Sequence, residues 1–185
     1  IEKVDLPIKE EKRERKLKNP HPLNEDQDQV YQEIIGHPQR THLIYGITGS
    51  GKTEIYLHLT KRAIEAGESA IILVPEISLT PQMVSRFKEV FGDKISLLHS
   101  RLSDRKRALE WTRLREGKSS IAIGARSAIF APIQNLSMII IDEEQEQSYE
   151  AHNNLRYDTI EVARKRSELE ETTLVLGSAT PSVEH

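Results

Sequence analysis

The sequence predicts an α/β fold, a mostly parallel sheet with helices on both faces, on three observations. Short apolar runs alternate with amphipathic stretches in a βαβα rhythm from about residue 23 onward. The runs are continuous rather than alternating in polarity, as strands covered on both faces require. A glycine-rich turn, GITGSGKT at residues 46 to 53, stands between the first run and the helix behind it.

Residues 9 to 18, KEEKRERKLK, mix charges without an apolar stripe, and Pro20 and Pro22 close the segment. Residues 1 to 22 therefore read as a linker or partly ordered tail, with the ordered domain running from Leu23 to His185. Asn24 is the expected N-cap of a first helix and Gly36 its stop. HLIY (42 to 45) is the first strand, followed by a helix over 52 to 66 that ends at Gly67. AIILV (70 to 74) is the second strand, and Thr80-Pro81 opens the next helix. ISLL (95 to 98) comes third, before a helix opened by Ser103 and stopped by Gly117. SIAIG (120 to 124) and MIIID (138 to 142) follow. Asp158, with Glu161 three residues on, caps the last helix, and TLVLG (173 to 177) is the last strand. No internal repeat or low-complexity segment interrupts this order.

With 185 residues, 30% charged and 37% hydrophobic, the chain suits one globular domain. Its formal net charge of -3 means that nucleic-acid binding would rest on a local basic patch. The lack of cysteine excludes disulfides and Cys-based zinc sites, and the seven histidines show no HExxH spacing. No apolar run of about 18 residues occurs, so a soluble, cytoplasmic protein without membrane contact is expected. The start at Ile1 is expected of a piece of a longer chain, with His185 as a tag remnant.

In parallel sheets ligands sit beyond the carboxyl ends of the strands. The turn after the first strand matches GxxxxGK[ST] in the strand-to-helix setting that this motif needs. Gly46, Thr48, Gly49, Ser50 and Gly51 supply backbone N–H groups that can wrap a phosphate at a helix N-terminus. Lys52 would reach the β and γ phosphates, and the Thr53 hydroxyl would ligate Mg²⁺. A nucleotide site also needs an acid on a neighbouring strand tip, and MIIID supplies it. Asp142 is the candidate for Mg²⁺, through water, and Glu143 for polarising the attacking water. Glu144, Glu146 and Glu150 read as solvated surface. No NKxD guanine reader occurs, which argues against a GTPase. Ser178 and Thr180, in GSATP after the last strand, are a hydroxyl pair placed to sense the γ phosphate. A small-molecule kinase and a non-catalytic ATP-gated interaction module remain as alternatives, though no long insertion offers an acceptor lid.

GITGSGKT, VPEISLTPQ, LHSRLSDRKR, GARSAIFAP, IIIDEEQ and LGSATPSVE together resemble superfamily 2 helicases, most closely the primosomal replication-restart helicases. The resemblance runs from about Leu23 to the end. It implies the first RecA-like lobe of a bacterial 3′ to 5′ DNA helicase, an ATP- and Mg²⁺-dependent enzyme that restarts stalled forks. Its implied partners are single-stranded or forked DNA, a second RecA-like lobe, other primosome proteins and single-stranded-DNA-binding protein.

By position, Gln27 corresponds to the adenine-reading amide. Ser78, Thr80, Arg126 and Ser127 correspond to contacts with the DNA backbone, whose chemistry suits phosphate rather than base edges. Segment 101 to 118 carries seven Arg or Lys against three acids, as either a DNA-facing stripe or a solvated helix face, with Trp111 expected in the core. Residues 145 to 157 resemble an aromatic-rich coupling loop, in which Gln145, Tyr149, Arg156 and Tyr157 are the candidates. Here Gln145 stands where the family carries His, and Leu155 where it carries an aromatic. The resemblance further implies that the lobe binds ATP, hydrolyses it poorly alone and does not unwind DNA, because the transition-state arginine belongs to the second lobe.

Overall fold

A computed structural model describes residues 16–46, 51–143 and 157–179. Six strands form one sheet: β1 Thr41–Tyr45, β2 Ser69–Leu73, β3 Ile95–Leu98, β4 Ile121–Gly124, β5 Leu136–Ile141 and β6 Thr173–Ser178. Their spatial order is β1-β6-β5-β2-β4-β3, and every neighbouring pair is parallel. The connecting helices are α1 Glu25–Gly36, α2 Lys52–Glu65, α3 Pro81–Phe91, α4 Asp104–Arg115 and α5 Thr159–Glu170.

The helices begin where their capping chemistry predicts. Asn24 accepts from the Gln27 N–H while the Gln27 amide accepts from the Asn24 N–H, a closed capping box. Thr80, Ser103 and Asp158 cap α3, α4 and α5 through their side-chain oxygens. The stops differ in detail. Gly36 is the last residue of α1 rather than the residue beyond it, and His37 takes the cap position. β5 begins at Leu136, two residues ahead of the expected start, because Leu136 pairs with Ser69 across a register shift.

Side chains along each strand divide between two cores, one per face of the sheet. Ala70, Ile72, Ile121, Ile123, Ile140 and Val175 pack with α1, α2 and α3. Ile71, Leu73, Ala122, Ile139, Ile141, Leu174 and Leu176 pack on the other face, toward α4 and α5. Covering is incomplete only at the edge, where Leu43 and Tyr45 on β1 are 52% and 66% exposed. Upstream of α1, Leu17 and Leu23 pack against the first core, Pro20 is buried, and the Lys18 N–H donates to the Val90 carbonyl.

On α2, Thr60 is fully buried and its hydroxyl finds no hydrogen-bond partner among the described residues. Replacing it with the near-isosteric valine removes that desolvated group. Thr60→Val is expected to stabilise the domain by about 1 kcal/mol in urea unfolding.

Candidate functional site

The phosphate-loop residues on either side of the turn are tied to two distant elements, β6 and α1. The Gly46 N–H donates to the Ser178 carbonyl (3.0 Å), so the tip of β6 holds the start of the loop. At the far end Gly51 adopts φ 84°, a left-handed conformation that suits glycine. A Cβ at that position would also overlap the Gln27 amide nitrogen. That amide donates to the Gly51 carbonyl (3.1 Å), linking the α1 cap to the loop. The amide proposed to read adenine is thus already engaged through both of its polar atoms, keeping one N–H and one lone pair for a further contact.

Lys52 opens α2 and is only 8% exposed. Its ammonium donates to the Gly46 carbonyl (2.6 Å), closing the loop on itself. No carboxylate lies within ion-pairing reach of Lys52 among the described residues. A buried ammonium that among the described residues meets a carbonyl and no carboxylate, at a helix N-terminus, is a group whose charge an anionic ligand would complete. Thr53 follows on α2, partly buried. Thr48, Gly49 and Ser50 lie outside the described residues.

Asp142 follows β5 directly, its N–H bound to the Leu73 carbonyl (2.9 Å). The buried Tyr56 of α2 donates its phenolic hydroxyl to Asp142 Oδ1 at 2.7 Å. Glu143 has φ 51°, an uncommon conformation for a residue with a side chain. Among the described residues no group of three or more His, Asp or Glu side chains could hold a metal unaided. Mg²⁺ usually takes one or two protein oxygens and completes its shell with phosphate and water; the Thr53 hydroxyl is a donor of that kind, and the Asp142 carboxylate is suited to accept from a metal-bound water. Ser178 is fully buried in β6, one strand from both Gly46 and Asp142. Thr180 lies outside the described residues.

A second region lies beyond the ends of β2, β3 and β4. Here a cleft of about 560 Å³ is lined by Glu76, Arg107, Trp111, Arg126, Ser127 and Tyr157, among others. Glu76 holds its wall by accepting from the Ser100 N–H and hydroxyl (3.1 and 2.6 Å). Ser78 ends a 3-10 turn over Glu76–Ser78, and the Thr80 hydroxyl already accepts from the Met83 N–H while remaining able to donate. Tyr157 meets Phe130 edge to face at 5.2 Å between centroids. Trp111 packs partly on the second core, as expected, but also faces this cleft. The basic stripe divides: Arg107 lines the cleft, whereas Arg113 bonds Glu110 and the Asp93 carbonyl. Gln145, Tyr149 and Arg156 lie outside the described residues, as do Glu144, Glu146, Glu150 and Leu155.

Sequence reasoning missed Tyr56, the Glu76–Ser100 contact and the bidentate Arg86–Glu54 pair that joins α3 to α2 at 2.8 and 3.1 Å. Only Tyr56 left a signal: it follows Lys52 by four positions and so shares its helix face.

Comparison with known proteins bears on this arrangement. The family described as DEAD/DEAH box helicase matches residues 24–185. The chain is similar to replication restart protein PriA of Bacillus subtilis, 47% identical over 173 residues, covering 91% of this chain and 22% of that protein. It is also similar to replication restart protein PriA of Chlamydia trachomatis, at 41% over 189 residues, covering 100% of this chain and 25% of that protein. The chain thus spans about a quarter of the length of these curated relatives. Among solved structures it resembles RecG bound to a three-way DNA junction, with a TM-score of 0.64, 25% identity, and coverage of 88% of this chain and 22% of that one. The Pyrococcus furiosus Hef helicase domain shares the fold, with a TM-score of 0.63 at 20% identity over 86% of this chain and 33% of that one. The fold is that of a RecA-like helicase lobe.

Proposed function

The chain belongs to the DEAD/DEAH box helicase family, and from that premise we propose that it is the ATP-binding first lobe of a 3′ to 5′ DNA helicase acting in replication restart. The observation that carries this reading is the buried Lys52 ammonium at the start of α2, which among the described residues donates to the Gly46 carbonyl and meets no carboxylate. In this reading residues 23–185 form the lobe and residues 1–22 lead into it.

Each residue then has a task. The loop from Gly46 to Gly51 cradles the phosphates, Lys52 neutralises the β and γ oxygens, and Gln27 meets the base through its remaining polar capacity. Thr53 and Asp142 would hold Mg²⁺, Asp142 through water, and Glu143 orients the nucleophilic water. Bound Mg²⁺ supplies neutralisation of charge developing on the transferred phosphoryl group. Ser178 and Thr180 sense whether the γ phosphate is present and pass that to a neighbouring domain. Ser78, Thr80, Arg126 and Ser127 line the path of a single strand, held by its phosphates and therefore read without sequence preference. Gln145, Tyr149, Arg156 and Tyr157 couple that strand to hydrolysis. A second RecA-like lobe supplies the transition-state arginine, worth about 10³ to 10⁵ in rate, so this lobe alone binds ATP but turns it over slowly and does not unwind DNA. Other primosome proteins and single-stranded-DNA-binding protein are the proposed partners of the whole protein, in the bacterial cytoplasm.

The test is ATP turnover by the lobe joined to its carboxyl-terminal partner, with and without single-stranded DNA. Stimulation by DNA is expected. Lys52→Ala is expected to lower turnover by about 10²- to 10³-fold or more, as loss of a preorganised charge donor does. Turnover indifferent to DNA would favour an ATP-gated interaction module or a kinase.

A further inference from the structure

We infer that Tyr56 is a positioning residue for the nucleotide-bound metal: its hydroxyl locks the Asp142 carboxylate in register with the phosphate-loop helix, and Gly177 is the space that admits it. This rests on the ATP and Mg²⁺ reading above and assigns a role to a residue outside the known motif positions.

Three observations meet at this point. Tyr56 lies one helical turn beyond Lys52 on α2, and both side chains are buried, at 1% and 8% exposure. A buried phenol needs a partner, and its O–H donates to Asp142 Oδ1 at 2.7 Å, across 86 positions of sequence. The third observation comes from β6. Ile141 is in register with Leu176, which brings Gly177 beside Asp142. A Cβ on Gly177 would overlap the Tyr56 hydroxyl and stand 3.0 Å from Asp142 Oδ1. Gly177 is not among the glycines with positive φ, so what the position demands is absence of a side chain and not backbone freedom.

The arrangement joins three parts that must agree when nucleotide binds. α2 carries Lys52 and Thr53, β5 presents Asp142, and β6 carries Gly177 and Ser178, whose carbonyl holds Gly46. A short bond from a rigid, buried ring restricts rotation of the Asp142 carboxylate on its strand tip. The carboxylate has about four lone-pair sites, so a hydrogen bond to one oxygen leaves capacity for a metal-bound water. Hydrogen bonds to residues that ligate a metal directly set affinity or activity by about 10- to 100-fold, and Tyr56, acting one shell further out through a metal-bound water, is expected at the low end of that range. Tyr56 touches neither phosphate nor reacting water in this scheme, and acts through Asp142.

The experiment compares the full-length protein with its Tyr56→Phe variant, which keeps the ring and deletes the hydroxyl. Binding of a fluorescent, non-hydrolysable ATP analogue is titrated at a series of Mg²⁺ concentrations, so no turnover is required. The Mg²⁺ midpoint is expected to rise by about 10-fold, with affinity in the absence of Mg²⁺ within about twofold of the parent because Lys52 and the loop are untouched. A role in packing alone would weaken nucleotide binding equally with and without the ion, and that result would overturn the assignment. The same titration in an Asp142→Asn background closes a double-mutant cycle. If the hydroxyl acts through the carboxylate, Tyr56→Phe has little further effect there; an equal shift in both backgrounds refutes the idea even if the variant is less stable. An unchanged midpoint in Tyr56→Phe sinks this inference alone. A parent protein whose analogue binding ignores Mg²⁺ sinks it together with the reading it rests on.

Discussion

Glu143→Gln is expected to lower DNA-stimulated ATP turnover by about 10²- to 10⁴-fold while leaving nucleotide affinity close to that of the parent. General-base groups that align and polarise an attacking water contribute in this range, and glutamine keeps the shape while removing the charge and basicity. The backbone makes a second variant informative. Glu143 has φ 51°, where a Cβ crowds the following carbonyl. Glycine meets no such penalty, so Glu143→Gly should abolish turnover to the same degree and yet raise stability by about 0.5 to 1 kcal/mol in urea unfolding, after allowing for the entropy glycine loses on folding. A position that gains stability as it loses activity is one where strain is held for the sake of the site. Retention of more than half the turnover by Glu143→Gln would remove Glu143 from the role proposed for it.

Gly124→Ala is expected to cost about 3 kcal/mol, the upper end of ordinary overpacking. Its Cβ would overlap the Leu98 carbonyl oxygen and stand 2.8 Å from Ala128 Cβ and 3.1 Å from Leu98 Cβ. None of these is the far end of a flexible chain. The first belongs to the ladder itself, since Leu98 and Gly124 are paired in register at the ends of β3 and β4. The 3-10 turn over Arg126–Phe130 starts two residues later, so strain released at Gly124 displaces the Arg126 and Ser127 side of the cleft. The variant should therefore lose DNA stimulation of turnover as well as stability. A urea midpoint unchanged within error, with DNA stimulation intact, would show that β3 can move aside and that the close approach has no consequence for the cleft.

How these positions relate to the sequence depends on the range of the interactions behind them. The caps at Asn24, Thr80, Ser103 and Asp158 were legible because each is closed by hydrogen bonds to residues two or three positions away. The phosphate loop was legible for the same reason: Gly51 and Lys52 take their geometry from the strand before them and the helix they begin. The double engagement of Gln27 was half legible. Its bond to Asn24 is a local capping box, whereas its bond to Gly51 spans 24 positions.

What the sequence by itself determined is the set of elements, their caps and the two strand-end motifs, because hydrophobic periodicity and short-range hydrogen bonding are written into consecutive residues. Only the tertiary structure decided which strand ends are neighbours. The order β1-β6-β5-β2-β4-β3 puts the last strand between the phosphate loop and Asp142, and it brings Gly177 under the Tyr56 hydroxyl and Gly124 against Leu98. Those contacts join residues separated in the chain, and strand order is chosen by the packing of the strands and helices together around two cores. No local pattern encodes a choice made by so many side chains at once. For that reason the residues proposed to touch nucleotide were readable from the sequence, while for Tyr56 only its helix face was, and not its contact with Asp142 across 86 positions.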